Sequence, residues 1–332
     1  MKVENLFIIL FLSSFTISAQ QKLDRISVLH NEFVNSKGEK IVFRGLNTSD
    51  PDKLEREGQW NKAYFEAIKS WNANIVRFPV HPSAWQKRGE HDYLALLDQG
   101  IAWAEELGLY VIIDWHSIGN LQTEMYQHEM YHTTKKETFD FWQIIGQKYG
   151  DNPTVAFYEL FNEPTTNQDQ YGKLSWEEWK HLNEKMIFLI RQNGGKGIPL
   201  VAGFDWAYSL TEIKDHPIKD QGVAYVSHPY PQKNNDARAE QWTKDWGYVK
   251  EKYPVILTEI GYCAADYEGA HIPVISDASY AEAITGYADK KNISYVVWVF
   301  DTSWAPRLIE DWEFTPAPHG EVWKRKMLSY PF

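Results

Sequence analysis

The stretch TVAFYELFNEP, residues 154–164, decides how the chain is read. Val155, Phe157, Leu160 and Phe161 give it the apolar, aromatic character of a strand covered on both faces, as in a parallel sheet flanked by helices. Pro164 lacks a ladder donor and is expected to stop the strand. Asn162 and Glu163 are then left at its C-terminal tip. In a closed parallel barrel that tip is where chemistry is placed. The stretch VILTEIG, residues 255–261, repeats the arrangement: an apolar run ends in Glu259 and is followed by a glycine.

Outward from these two stretches, strand and helix patterns alternate with short connections. Strands are expected over residues 41–47, 74–80, 109–115, 154–161, 198–204, 223–227, 255–259 and 294–300. Helical patterns cover 60–71, 93–107, 135–149, 176–193, 237–252, 278–290 and 320–328. A hairpin with its turn at 35–38 is expected to lead into the first strand. Eight such repeats without a second composition block predict an α/β fold of the (β/α)8 TIM barrel type, one domain over residues 20–332. An open doubly wound sheet would need a glycine-rich phosphate loop after an early strand, and none is present.

Composition bounds the function. The 332 residues are 43% hydrophobic, enough for one large core. The net charge of −11 argues against nucleic acid or an anionic membrane as partner. The 15 Trp and 19 Tyr exceed the needs of a core and suggest aromatic faces for stacking on sugars. Lys2, an apolar run over residues 6–12 and small residues up to Ala19 have the form of a cleavable secretory leader, residues 1–19, which implies a secreted or periplasmic protein. The single cysteine, Cys263, allows no intrachain disulfide.

Six strand ends carry polar or aromatic groups of one kind of site: Arg77 on the second strand, His116 after the third, Asn162 and Glu163 after the fourth, His228 and Tyr230 after the sixth, Glu259 on the seventh and Trp298 on the eighth. With this set the sequence resembles glycoside hydrolase family 5, over the whole of residues 20–332. The resemblance implies a retaining β-glycanase with Glu163 as acid/base and Glu259 as nucleophile. It implies support from Arg77, His116, Asn162, His228 and Tyr230, and Trp298 stacked under the reacting sugar. Retaining chemistry needs two carboxyl groups ~5–5.5 Å apart, one protonated and one ionised. Arg77 and Tyr230 are expected to keep Glu259 charged, and that charge to raise the pKa of Glu163. Asn162 is placed to donate to a substrate 2-hydroxyl, and His228 to position or shuttle protons near Glu163.

Loop aromatics Trp85, Trp115, Tyr126, Tyr131, Trp206 and Trp304 are candidates for further substrate binding. Trp60, Trp71, Trp103, Trp142 and Trp179 fall in helix patterns and read as core. A literal H-E-x-x-H at His128–His132 offers a zinc hydrolase as rival. It lies in a connection between strand and helix, with no third ligand following at helical spacing, so no metal or other cofactor is expected. A carbohydrate-binding barrel without catalysis would not need both Glu163 and Glu259. Within the enzyme reading, hydrolysis of internal linkages of a plant-type or microbial β-1,4-glucan is expected, with an endo-β-1,4-mannanase or another β-glycanase of the same family as the alternative, and a monomer is expected.

Overall fold

The computed structural model describes residues 22–233 and 238–331; the leader expected at 1–19 lies outside them. Eight parallel strands close into a barrel: β1 (Arg44–Asn47), β2 (Ile75–Val80), β3 (Tyr110–Trp115), β4 (Val155–Glu159), β5 (Ile198–Ala202), β6 (Ala224–Val226), β7 (Val255–Ile260) and β8 (Ser294–Val297). Each pairs with its neighbours in chain order, and β8 pairs with β1. Among the described residues no helix is long and apolar enough to cross a membrane.

The helices form where the sequence supplies caps. Thr134 and Glu137 make a capping box before the helix Lys135–Tyr149, and Ser175 and Glu178 do the same before Trp176–Gln192. The pattern expected over 237–252 breaks instead at Trp246, into Ala239–Asp245 and a 3-10 turn Gly247–Glu251. At the N-terminus, Ser27–Leu29 pairs with Glu32–Val34 across His30 and Asn31. The expected turn at 35–38 is a second one, closed by the Asn35 amide on the Glu39 carbonyl.

Period-two alternation sorts the strands into two cores. Ile75, Tyr110, Ile112, Phe157, Leu200, Val226, Ile256 and Val296 belong to the barrel interior, and the hairpin's Phe33 joins Phe43 and Phe157 there. Val76, Phe78, Val111, Ile113, Trp115, Tyr158 and Leu257 pack with the helices. At Gly45 a Cβ would meet the Ile75 carbonyl oxygen at 2.1 Å, so β1 and β2 pass closer there than a side chain permits. The interior is thus apolar below. Above it, toward the C-terminal ends, lies a layer of Asn47, Arg77, Asp114, Glu159 and Thr258, all fully buried. That polar layer is the base of the site.

Candidate active site

Arg77 organises the polar layer. Its Nε and Nη2 donate to both oxygens of Glu159 at 2.7 and 2.9 Å. Nη1 donates to Asn47 and to Glu259 Oε1, each at 2.9 Å, and Nη2 to Asn162 Oδ1 at 2.7 Å. Asp114 Oδ2 lies 3.0 Å from Nη2. Burial works to lower the pKa of Arg77, but Asp114, Glu159 and Glu259 outweigh it and raise the value. The guanidinium is therefore a fixed charge from which Glu259 and Asn162 take their orientation.

Backbone pairing sets the position of Glu163. The barrel strand ends at Glu159, not at Pro164. The chain then crosses the top of the barrel, and Glu163–Pro164 pairs in parallel with Ile118–Asn120. The Asn162 amide donates to Trp115 O and the Glu163 amide to Ser117 O, both at 3.1 Å. Pro164 sits in this two-residue ladder rather than terminating the strand. Glu163 and Glu259 are buried, and one ligand oxygen of each, with a His228 ring nitrogen, falls within 4.8 Å of the others. That bound lies below the ~6.5–9.5 Å that inverting hydrolysis needs and is compatible with retaining hydrolysis.

The surroundings of the two carboxylates differ. Glu259 accepts from Arg77 and from the Tyr230 hydroxyl at 2.9 Å. Glu163 Oε1 meets His228 Nδ1 at 3.0 Å and Lys233 Nζ at 2.8 Å. On its other nitrogen His228 meets Thr258 Oγ1 at 2.8 Å, and Thr258 donates to Glu159 at 2.9 Å. Burial lowers the pKa of His228, yet Glu259, Glu159 and Glu163 together raise it. Burial pushes the pKa of Glu163 up, but the Lys233 charge and the His228 bond prevail and bring it down to about 2. This reverses the expectation that Glu259 would raise it. An ammonium in contact outweighs a like charge farther off.

His116 is held by Asp114 across 2.6 Å. Burial drives the pKa of His116 down and that of Asp114 up, the latter against the pull of Arg77. The His116 ring stacks on Trp298 at 5.3 Å and 5° between planes, and Trp298 stacks on Trp304 at 6.1 Å and 9°. His81, anchored to Asp50, lies against His116, Tyr131 and Trp304. These rings make one wall of an open cleft of about 1060 Å³. Glu163, Glu259, Asn162, Tyr230 and Trp206 also line it.

Trp206 enters the cleft from a left-handed turn: Asp205, Trp206 and Ala207 have φ of 57°, 54° and 59°. None of the three is glycine, and each such residue costs ~1–2 kcal/mol. The turn aims the indole N–H at Gln127 Oε1, 2.8 Å away, and the Trp206 carbonyl at the Lys233 ammonium.

Three expected subsite aromatics lie elsewhere. Trp115 alternates with Asp114 on β3, so it faces the helices; it is fully buried on Phe141, with its N–H on Thr138. Trp85 belongs to the helix Pro82–Arg88 and packs on Phe141 and Tyr93. Tyr126 is buried against His132. The zinc motif loses its geometry as well. His128 and His132 flank a three-residue 3-10 turn, Glu129–Tyr131, so they do not stand one α-helical turn apart. The helix-pattern residues Trp60, Trp71, Trp142 and Trp179 are buried core, and Trp103 packs on that core half-buried.

Asp114, Glu159, Thr258, His81 and Lys233 join the site without being among the residues expected from the sequence. Period two alone could have found the first two, since Ile112 and Phe157 two residues earlier mark the inward face. No local signal points to Lys233, which reaches Glu163 from 70 residues away.

Comparison with known proteins agrees with this fold. The native form of a β-glucanase from Saccharophagus degradans is 47% identical with a TM-score of 0.91, covering 96% of this chain and 97% of that one. The same enzyme has been solved in complex with cellotetraose. Endoglucanase A of Butyrivibrio fibrisolvens is 24% identical over 257 residues, 74% of this chain and 54% of its own length. Endoglucanase A of Evansella cellulosilytica is 25% identical over 267 residues, 79% of this chain and 49% of its own. The chain thus spans about half the length of these curated relatives. The model of the cellulase family matches residues 34–303, the span that holds every strand of the barrel and both carboxylates, and the chain belongs to that family, glycosyl hydrolase family 5.

Proposed function

We propose that the protein is a retaining endo-β-1,4-glucanase with Glu163 as acid/base and Glu259 as nucleophile. The observation that carries this is the pair itself: two buried carboxylates at retaining distance, one anchored by Arg77 and Tyr230, the other by His228 and Lys233. Glu259 attacks the anomeric carbon while a protonated Glu163 gives its proton to the departing oxygen. Glu163 then takes a proton from the water that opens the glycosyl ester. Asn162 accepts from Arg77 through its oxygen, which leaves its amide donors for the substrate 2-hydroxyl. Trp298 and Trp304 offer stacking faces to successive sugars.

The open cleft suits internal positions of a polymer, and the Saccharophagus β-glucanase with cellotetraose supports a β-glucan over a mannan. The enzyme acts as a monomer and is exported by its first 19 residues. Sedimentation of the purified protein checks the first, and N-terminal sequencing of the secreted protein the second. The decisive assay compares carboxymethyl cellulose, mixed-linkage glucan and mannan by reducing-sugar release, with the anomer of the first product followed by proton NMR. β-Product released before mutarotation is expected, with Glu163→Gln and Glu259→Gln at least about 10³-fold slower. α-Product, or full activity in either variant, would overturn the mechanism; preference for mannan would move the substrate.

A further inference from the structure

On the proposed mechanism, hydrolysis starts with a proton on Glu163, yet this carboxylate is in contact with an ammonium. Lys233 Nζ lies 2.8 Å from Glu163 Oε1, on the same oxygen that meets His228 Nδ1. The lysine is almost fully buried, its side chain 9% exposed. Its second anchor is the Trp206 carbonyl, and its ammonium sits 5.7 Å from the Tyr230 ring centroid. The strained Asp205–Ala207 turn presents that carbonyl, so the lysine is held by a built device rather than by chance contact.

Lys233 is also within reach of a ligand: Gln232, Lys233 and Trp206 line the same cleft as Glu163, Glu259 and Trp298. Among the described residues, the ionisable groups that act on Glu163 are His228 and Lys233, Glu259 on β7, Asp114 on β3, and the hydroxyls of Tyr131 and Tyr230. Of these, only His228 and Lys233 touch it, and His228 is fixed from behind by Thr258. Lys233 is the one on a flexible stem.

We propose that Lys233 is a displaceable counter-ion of the acid/base: it holds Glu163 ionised in the empty cleft and is moved off by the sugar that binds on the leaving-group side. When it withdraws, Glu163 takes one proton from solvent, and that proton goes to the glycosidic oxygen as the C–O bond breaks and the Glu259 ester forms. After the leaving sugar departs, the ammonium returns and favours the ionised Glu163 that accepts a proton from water. Lys233 acts through Glu163, as a positioning residue, and couples acid strength to occupancy of the leaving-group side.

This inference rests on Glu163 as acid/base, and the test separates the two. In the unliganded protein, carbon-13 NMR of the Glu163 carboxyl should titrate near 2 in the wild type and at least about one unit higher in Lys233→Met, a tenfold change in protonated fraction. Lys233→Arg, which keeps the charge, should titrate like the wild type. In kinetics, the basic limb of kcat/KM, set by free enzyme, should move up by about the same amount in Lys233→Met, while the basic limb of kcat stays in place. An unchanged Glu163 titration in Lys233→Met overturns the role of Lys233, and so does a shift of both kinetic limbs together. An active Glu163→Gln overturns the acid/base assignment instead, whatever the titration shows.

Discussion

His228 and Lys233 hold Glu163 toward its charged form, and at the residue scale this has a stability consequence. Its folded pKa is depressed to about 2, below the ordinary carboxylate value. A depressed carboxylate contributes stability that is present above its unfolded pKa, ~4.3, and lost as pH falls through the folded value. The contribution is on the order of 3 kcal/mol at neutral pH. Glu159 is also depressed, its burial overcome by Arg77 and His228, and adds in the same direction. Asp114, raised by burial, works with the opposite sign: it favours the fold at low pH and loses that advantage as pH rises. Denaturant midpoints measured from pH 7 to pH 3 should therefore fall less steeply for Lys233→Met than for the wild type, because its Glu163 has less depressed charge to lose. Parallel curves would show that the ion pair adds nothing to folding.

At the scale of elements, the strand β3 and the loops above it separate two kinds of tryptophan. Trp115 is buried against Phe141 and Trp85, whereas Trp304 and Trp206 are half-buried in the cleft. Trp115→Ala should cost about 3–5 kcal/mol of stability through the cavity it leaves. Its KM should stay within twofold in whatever protein remains folded. Trp304→Ala should shift the melting midpoint little but raise KM for a glucan several-fold, because a stacking face is lost. Thermal melts and Michaelis curves on the same preparations check both. A Trp304→Ala protein with unchanged KM would remove that residue from the substrate site.

Across the whole molecule, the barrel keeps stability and chemistry at opposite ends. The lower interior is closed by Phe33, Phe43, Tyr110 and Phe157 in edge-to-face contact at 5.0 to 5.8 Å. The carboxylates stand at the other end, above the Arg77 layer. Phe33→Ala should lower unfolding free energy by roughly 3–5 kcal/mol and leave kcat at 25 °C within twofold. A large loss of kcat in folded Phe33→Ala would mean that the two ends are coupled through the barrel. The division of labour matches the general placement of barrel chemistry at the C-terminal face.

The sequence alone determined the eight strands, their order and the strand-end residues, because apolar period and turn chemistry are local and leave their mark in a short window. It also placed Arg77, Asn162, Glu163, His228, Tyr230 and Glu259 at one end of the barrel, since parallel strands bring their tips together. The local pattern further contained the outward face of Trp115 and the inward faces of Asp114 and Glu159, through period two. Only the tertiary structure decided the charge of Glu163. That depends on an ammonium 2.8 Å away and a histidine 3.0 Å away, brought in from residues 70 and 65 positions distant. Coulomb energy in a buried site changes by several kcal/mol over a few ångströms, and no spacing along the chain records such a distance. The stretch at 154–164 therefore marked Glu163, and Lys233 with His228 sets its charge.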